Sequence, residues 1–172
     1  MRKNMDVVVI KDTMHVLAAE LGNDLSQGGH SLDELVVDGF SIIDPSSGDE
    51  MGYIEKVYLD VINVEGDDSA INAPMSRMVE EAKLQYLMPK AEVNIDESQR
   101  IEIKTPEDVT RRTAFFIQLT SDTQTINIHP DALPTGTRRK TLAVPELVAG
   151  EYKLIAFVSG FVPIIETRSV PV

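Results

Sequence analysis

Residues 149–160 read Ala149-Gly150-Glu151-Tyr152-Lys153-Leu154-Ile155-Ala156-Phe157-Val158-Ser159-Gly160, and they decide the fold of the chain's second half. Glycine turns bracket a run rich in strand-forming residues, and inside it Lys153 to Phe157 alternates as a strand does. The same alternation recurs at Arg100-Ile101-Glu102-Ile103-Lys104, with isoleucine on one face and charge on the other. Between Ala91 and the C-terminus seven such runs are found: Ala91–Ile95, Arg100–Lys104, Ala114–Thr120, Thr125–His129, Lys140–Val144, Glu151–Val158 and Pro163–Val170. Turn residues separate them, among them Thr105-Pro106-Glu107-Asp108, Pro134-Thr135-Gly136 and Ala149-Gly150. Regularly spaced short strands without a helical period predict an all-β antiparallel sandwich over residues 91–172.

Ahead of Ala91 the patterning is mixed. Met5–Ile10 predicts a strand, and Thr13 then caps an expected helix with Met14, Leu17, Ala18, Leu21 and Leu25 on one face, stopped by Gln27-Gly28-Gly29. Leu35-Val36-Val37 and Phe40–Ile43 read as extended, Pro45–Asp49 as a turn, and Tyr53–Val64 as one strand closed by Glu65-Gly66-Asp67-Asp68. Pro74 suits a first helical turn, so Met75, Met78, Val79, Ala82 and Tyr86 predict a second helix ending near Pro89. The expectation is an acidic α+β domain at 1–90 and a sandwich at 91–172.

The stretch Leu142-Ala143-Val144-Pro145-Glu146-Leu147-Val148-Ala149-Gly150-Glu151-Tyr152-Lys153-Leu154 resembles the late hairpin of immunoglobulin-like β-sandwich modules. In those families P-x-L-x-x-G-x-Y-x-L joins two consecutive strands, as in the transcription-factor-type (IPT/TIG) and carboxypeptidase-regulatory-like modules. The latter often continue with a Gly-aromatic pair such as Gly160-Phe161. The resemblance covers about twenty residues and implies a fold without a site. Its physical content is a glycine turn at Gly150 and a Tyr152 ring that is buried while its hydroxyl reaches backbone.

Composition narrows the functions. Cysteine and tryptophan are absent and only 5% of residues are aromatic, which removes thiol chemistry and disulfides and leaves few stacking platforms. Charge is uneven: residues 1–92 carry 7 Lys/Arg against 18 Asp/Glu, and residues 93–172 carry 9 against 10. A field of that sign repels nucleic acid, so no nucleic-acid partner is expected. The apolar run Val7–Ile10 is too short for a signal-peptide core, and no segment suits a membrane span; the chain as it stands reads as cytoplasmic, with secretion the alternative where a leader has been removed.

No motif carries a reaction. His15, His30 and His129 share no ligand spacing, so no metal site and no cofactor are expected. The acidic loops Asp44–Glu50 and Glu65–Asp68 have calcium-binding atoms without a calcium-loop pattern, which makes calcium unlikely. Gly28-Gly29 follows the expected helix where a phosphate cradle would precede one. No serine lies in a nucleophile elbow. Arg138-Arg139-Lys140 stands out in so acidic a chain as a partner contact, or as an edge strand guarded by charge; Arg111-Arg112 adds to it. Met75, Met78 and Met88 read as core filler.

The function expected is therefore a non-catalytic interaction or structural protein, with the sandwich as a binding or assembly module and a protein partner or self-association as its target. An HU-like DNA-binding protein with a fused sandwich is the alternative, resting on the C-terminal hairpin and on a helix from Met75 to Met88 that follows strands. A carbohydrate-binding module is the second, for which Tyr152 reads as buried and no other platform is evident.

Overall fold

Among the described residues, seven strands and two α-helices precede Ala91: β1 (Lys3–Ile10), β2 (Val16–Leu21), α1 (Leu32–Leu35), β3 (Gly39–Ile43), β4 (Glu50–Glu55), β5 (Leu59–Gly66), α2 (Asp68–Asn72), β6 (Arg77–Glu80) and β7 (Lys83–Tyr86). They come from a computed structural model that describes residues 3–22 and 29–171, with backbone alone at 129 and 130. Strand β1 lies between β2 and β5, antiparallel to both, and β3–β4 and β6–β7 are separate hairpins. Apolar residues bury both faces of β1. Met5, Val7 and Val9 meet Val16, Val64 and Val79 on one side, while Val8 and Ile10 face Leu17, Ile42 and Leu59 on the other.

Both expected helices are strands, and the N-terminal region is mainly β rather than α+β. After Thr13 the chain turns at Met14, whose φ is 63°, and Val16–Leu21 pairs with β1. Leu, Ala and Glu favour a helix in isolation, but the ladder to β1 and the burial of Val16 and Leu17 override that preference. Leu25 and the Gln27-Gly28 stop lie outside the described residues. The second expected helix is a short 3₁₀ turn at Pro74–Ser76 followed by the β6–β7 hairpin. With it goes one of the two features behind the HU-like alternative, the helix from Met75 to Met88; the other, the C-terminal hairpin, is unaffected. Tyr53–Val64 is two strands parted by a 3₁₀ turn at Lys56–Tyr58, and Leu35 ends α1 instead of being extended.

The β6–β7 turn is made by Glu81 and Ala82 at φ 51° and 61°, a left-handed pair that normally takes Asn-Gly. Such a conformation costs a non-glycine residue roughly 1–2 kcal/mol. Replacing the pair by E81N/A82G is therefore expected to raise stability by about 1 kcal/mol, read from urea midpoints at unchanged m value.

The seven C-terminal runs are seven strands: β8 (Glu92–Ile95), β9 (Arg100–Lys104), β10 (Thr113–Thr120), β11 (Thr125–Leu133), β12 (Arg139–Ala143), β13 (Gly150–Val158) and β14 (Ile164–Val170). They form an antiparallel sheet β11-β10-β13-β14 and another, β12-β9-β8. Val93, Ile101 and Ile103 of the smaller sheet share one apolar cluster with Ile117, Leu119, Leu154 and Ala156 of the larger. Tyr152 is 1% exposed, and its hydroxyl bonds Val148 O at 3.0 Å and accepts from the Gln124 side chain at 2.7 Å.

No strand ladder joins the two halves among the described residues, apart from a single bridge between Met88 and Phe161. Side chains do join them. Phe116, Ile155 and Phe157 point away from the C-terminal cluster and complete a second one with Val8, Ile10, Leu17, Ile42 and Ile54. The Gln118 amide extends this contact: it accepts from Tyr53 N–H at 2.9 Å and donates to Tyr53 O at 2.7 Å, as a neighbouring strand would. Gly52 makes the approach possible, since a Cβ there would meet Ile155 Cδ1 at 2.6 Å and Gln118 Oε1 at 2.7 Å.

Candidate functional site

The seam between the halves is built around the turn after β13. Ser159 Oγ donates to Thr13 O at 3.0 Å, Met88 N–H to Gly160 O at 2.8 Å, and Val162 N–H to Met88 O at 2.8 Å. His15 lies fully buried beneath this turn. Its Nε2 is 2.7 Å from Phe161 O, which can only accept, so Nε2 carries the proton and Nδ1 accepts from the Thr13 hydroxyl at 3.0 Å. The ring meets Phe157 edge-on at 5.2 Å. Burial, resisted by the bond to Phe161, pushes His15 down from 6.5 to about 4.

Beside the seam a groove of about 560 Å³ opens between the halves. Leu17 of β2, Phe40 and Ile43 of β3, and Pro74 and Met75 before β6 form one wall; Val162, Pro163 and Ile165 form the other. Among the described residues, Ser41 and Ser76 supply its side-chain hydroxyls and no ionisable side chain lines it. Its described lining is suited to holding an apolar group. Ile43, at 46% exposed, forms part of its lip.

Arg138, Arg139 and Lys140 lie at and just before β12, an edge strand of the smaller sheet. Each meets an acid of its own half: Arg138 with Asp108 at 2.9 Å, Arg139 with Glu102 at 3.8 Å and Lys140 with Asp131 at 2.5 Å. Arg111 instead crosses to the N-terminal half, pairing with Glu80 at 2.5 Å. The three histidines do not come together in one described site. His15 is in the seam, the side chain of His129 lies outside the described residues, and His30 Nδ1 is 2.5 Å from Asp6. Burial would raise the Asp6 carboxyl, but bonds from His30 and Asn63 outweigh it and hold the group below its ordinary value. The Asp6 bond in turn raises His30.

In the acidic loops, Asp44 accepts from the backbone and hydroxyl of Ser46, and Asp67 caps α2 through Ser69. Among the methionines Met78 is core, Met75 lines the groove and Met88 is 61% exposed. Tyr53 and Tyr86 are the exposed tyrosines; in the sequence they read as the start of a strand and as part of a helix face, not as ligand platforms. No helix among the described residues is long and apolar enough to cross a membrane. Comparison with protein-family models, with curated proteins and with solved structures gives no match.

Proposed function

We propose that this chain is a non-catalytic interaction protein whose C-terminal seven strands form an immunoglobulin-type sandwich, serving as a binding and assembly module. Strand order supports the fold. With β8 to β14 lettered A, B, C, C′, E, F and G, the sheets read A-B-E and C′-C-F-G. The Tyr152 hydroxyl bonded four residues back, near the start of strand F, matches the tyrosine corner of such domains.

The observation that carries the binding role is the uncharged apolar groove beside the seam, in a chain whose N-terminal half has 18 acids against 7 bases. Its occupant is an apolar segment of a protein partner flanked by Lys or Arg, because Asp44, Asp49 and their acidic neighbours border β3 and favour cations beside the lip. Arg138, Arg139 and Lys140 would make a second contact by exchanging internal acids for those of a partner, a change worth only ~0–1 kcal/mol per exposed pair. That contact would set orientation rather than affinity.

A labelled amphipathic Leu/Lys peptide tests the reading by fluorescence anisotropy. It is expected to bind the whole chain, and I43E, at an exposed position, is expected to weaken it about tenfold, the effect of losing roughly 1.4 kcal/mol. A Leu/Glu peptide of the same pattern binding equally well, or affinity unchanged in I43E, sinks the groove. Reversing Arg138, Arg139 and Lys140 to Glu should weaken capture or self-association more in low salt than in high; light scattering separates a second copy from a foreign partner.

A further inference from the structure

Lys3, Lys56, Arg100, Arg111, Arg138, Arg139, Lys140 and Arg168 all remain partly exposed and all have a carboxylate partner. Arg77, only 6% exposed and the one cation among the buried polar residues described, has no ion pair with a described residue. Its Nη1 donates to Ser76 Oγ at 2.5 Å and its Nη2 to Ser69 Oγ at 2.9 Å. Its Cζ lies 3.5 Å from the centroid of the Tyr86 ring, which is itself 73% exposed. Hydroxyls and a ring face orient a guanidinium but do not neutralise it, and arginine is rarely this buried without a counter-charge. The two serines take two of its five N–H donors.

The guanidinium lines a cavity of about 500 Å³ between the β6–β7 hairpin and the end of β5. Lys83 brings a second cation to that cavity, and Leu84 and Tyr86 give it apolar surface. Glu65 and Asp67 face the same space. Asp67 accepts from the hydroxyl and backbone of Ser69, the same hydroxyl that takes Arg77 Nη2, and it lies below its ordinary value chiefly through Ser69, with the nearby Arg77 charge adding to the effect. Both signs of charge thus border one cavity, and Arg77 reaches Asp67 through the Ser69 hydroxyl that the two share, which leaves part of its fork directed at the cavity.

We propose that this cavity binds a small zwitterion of the amino-acid type. Its carboxylate takes the open N–H groups of Arg77 beside Lys83, its ammonium lies toward Glu65 and Asp67, and its apolar side chain rests on Leu84 and Tyr86. A carboxylate suits the site better than phosphate: the planar fork of arginine matches it, and two nearby acids penalise a second negative charge.

The test is amide chemical-shift mapping on the whole chain with L-leucine, N-acetyl-L-leucine, L-leucinamide and inorganic phosphate. Leucine is expected to shift signals of Arg77 and of Lys83 to Tyr86 saturably at millimolar concentration. N-acetylleucine should bind more weakly and leucinamide not at all. R77K, which keeps the charge but loses the fork, should weaken leucine at least about tenfold, as losing one charge-assisted bond does. Should R77K fail to fold, Y86L removes the exposed ring that holds the guanidinium and is expected to weaken leucine several-fold. No saturable shift with leucine, equal binding of leucinamide or N-acetylleucine, tighter binding of phosphate, or undiminished affinity in the folded variants would each overturn the proposal.

Discussion

A fragment beginning at Ala91 is expected to keep a β-type circular dichroism spectrum but to lose most of its stability, bind a hydrophobic dye and self-associate. Its strand ladders are complete without the N-terminal half, which is why the backbone can still form its sheets. The outer face of β10 and β13 is not complete. Phe116, Ile155 and Phe157, each no more than 3% exposed in the whole chain, would lie bare in the fragment. At ~1.5–3 kcal/mol for each buried side chain of this kind, the missing contact is worth on the order of 5 kcal/mol or more. Domains of this size have only about 5–15 kcal/mol in total. A second fragment carrying F116T, I155T and F157T, which suits an exposed strand face, should stay monomeric and bind no dye. If the unsubstituted fragment melts as the whole chain does and remains monomeric, the halves are independent and the shared cluster contributes little.

That shared face is present in the sequence, in runs whose apolar residues fall at both parities. The alternation of Lys153-Leu154-Ile155-Ala156-Phe157 hides burial on both sides, since every residue from Leu154 to Val158 is buried. Likewise β10, Thr113-Ala114-Phe115-Phe116-Ile117-Gln118-Leu119-Thr120, is buried as far as Leu119. A run that is apolar at both parities signals a strand covered on both faces. Ile155 and Phe157 on the supposed solvent face were that signal.

Turn chemistry explains which strands were legible. Gly48, Gly136, Gly150 and Gly160 all have positive φ, and each falls in a turn expected from its residues. The turns at Met14 and at Glu81-Ala82 adopt the same left-handed conformation without glycine or asparagine. With no punctuation there, leucine, alanine and methionine three and four residues apart suggested helices. The groove is not legible in the sequence for a related reason: its walls come from β2, β3, the Pro74–Ser76 turn and the start of β14, and the observed N-terminal topology brings them together through segments that pattern as helices. Arg138 to Lys140, by contrast, were visible as a cluster, but their acids Asp108, Glu102 and Asp131 are brought close only by the fold.

Acid should loosen the seam through His15 before it reaches the carboxylates. Protonating the ring would place a charge in an apolar site and remove the acceptor that Nδ1 offers Thr13. Between pH 6.5 and about 4 the unfolded chain binds this proton and the folded chain does not. Stability therefore falls with falling pH across that window, by roughly 3 kcal/mol in full and about 2 by pH 5. The Asp6–His30 pair does not mask this. His30 is raised, so its contribution is lost only as pH rises, and is fully present below the unfolded value of 6.5. Asp6 is lowered, so its contribution stays until pH drops through 3.8 and below. Urea midpoints measured at pH 7, 6, 5 and 4.5 should thus decline in the native chain. H15Q, neutral at every pH, is expected to be less stable at pH 7 but nearly flat from 6.5 to 4.5, so that the two curves converge on acidification. Parallel curves would assign the acid sensitivity to other groups and leave His15 as a packing residue only.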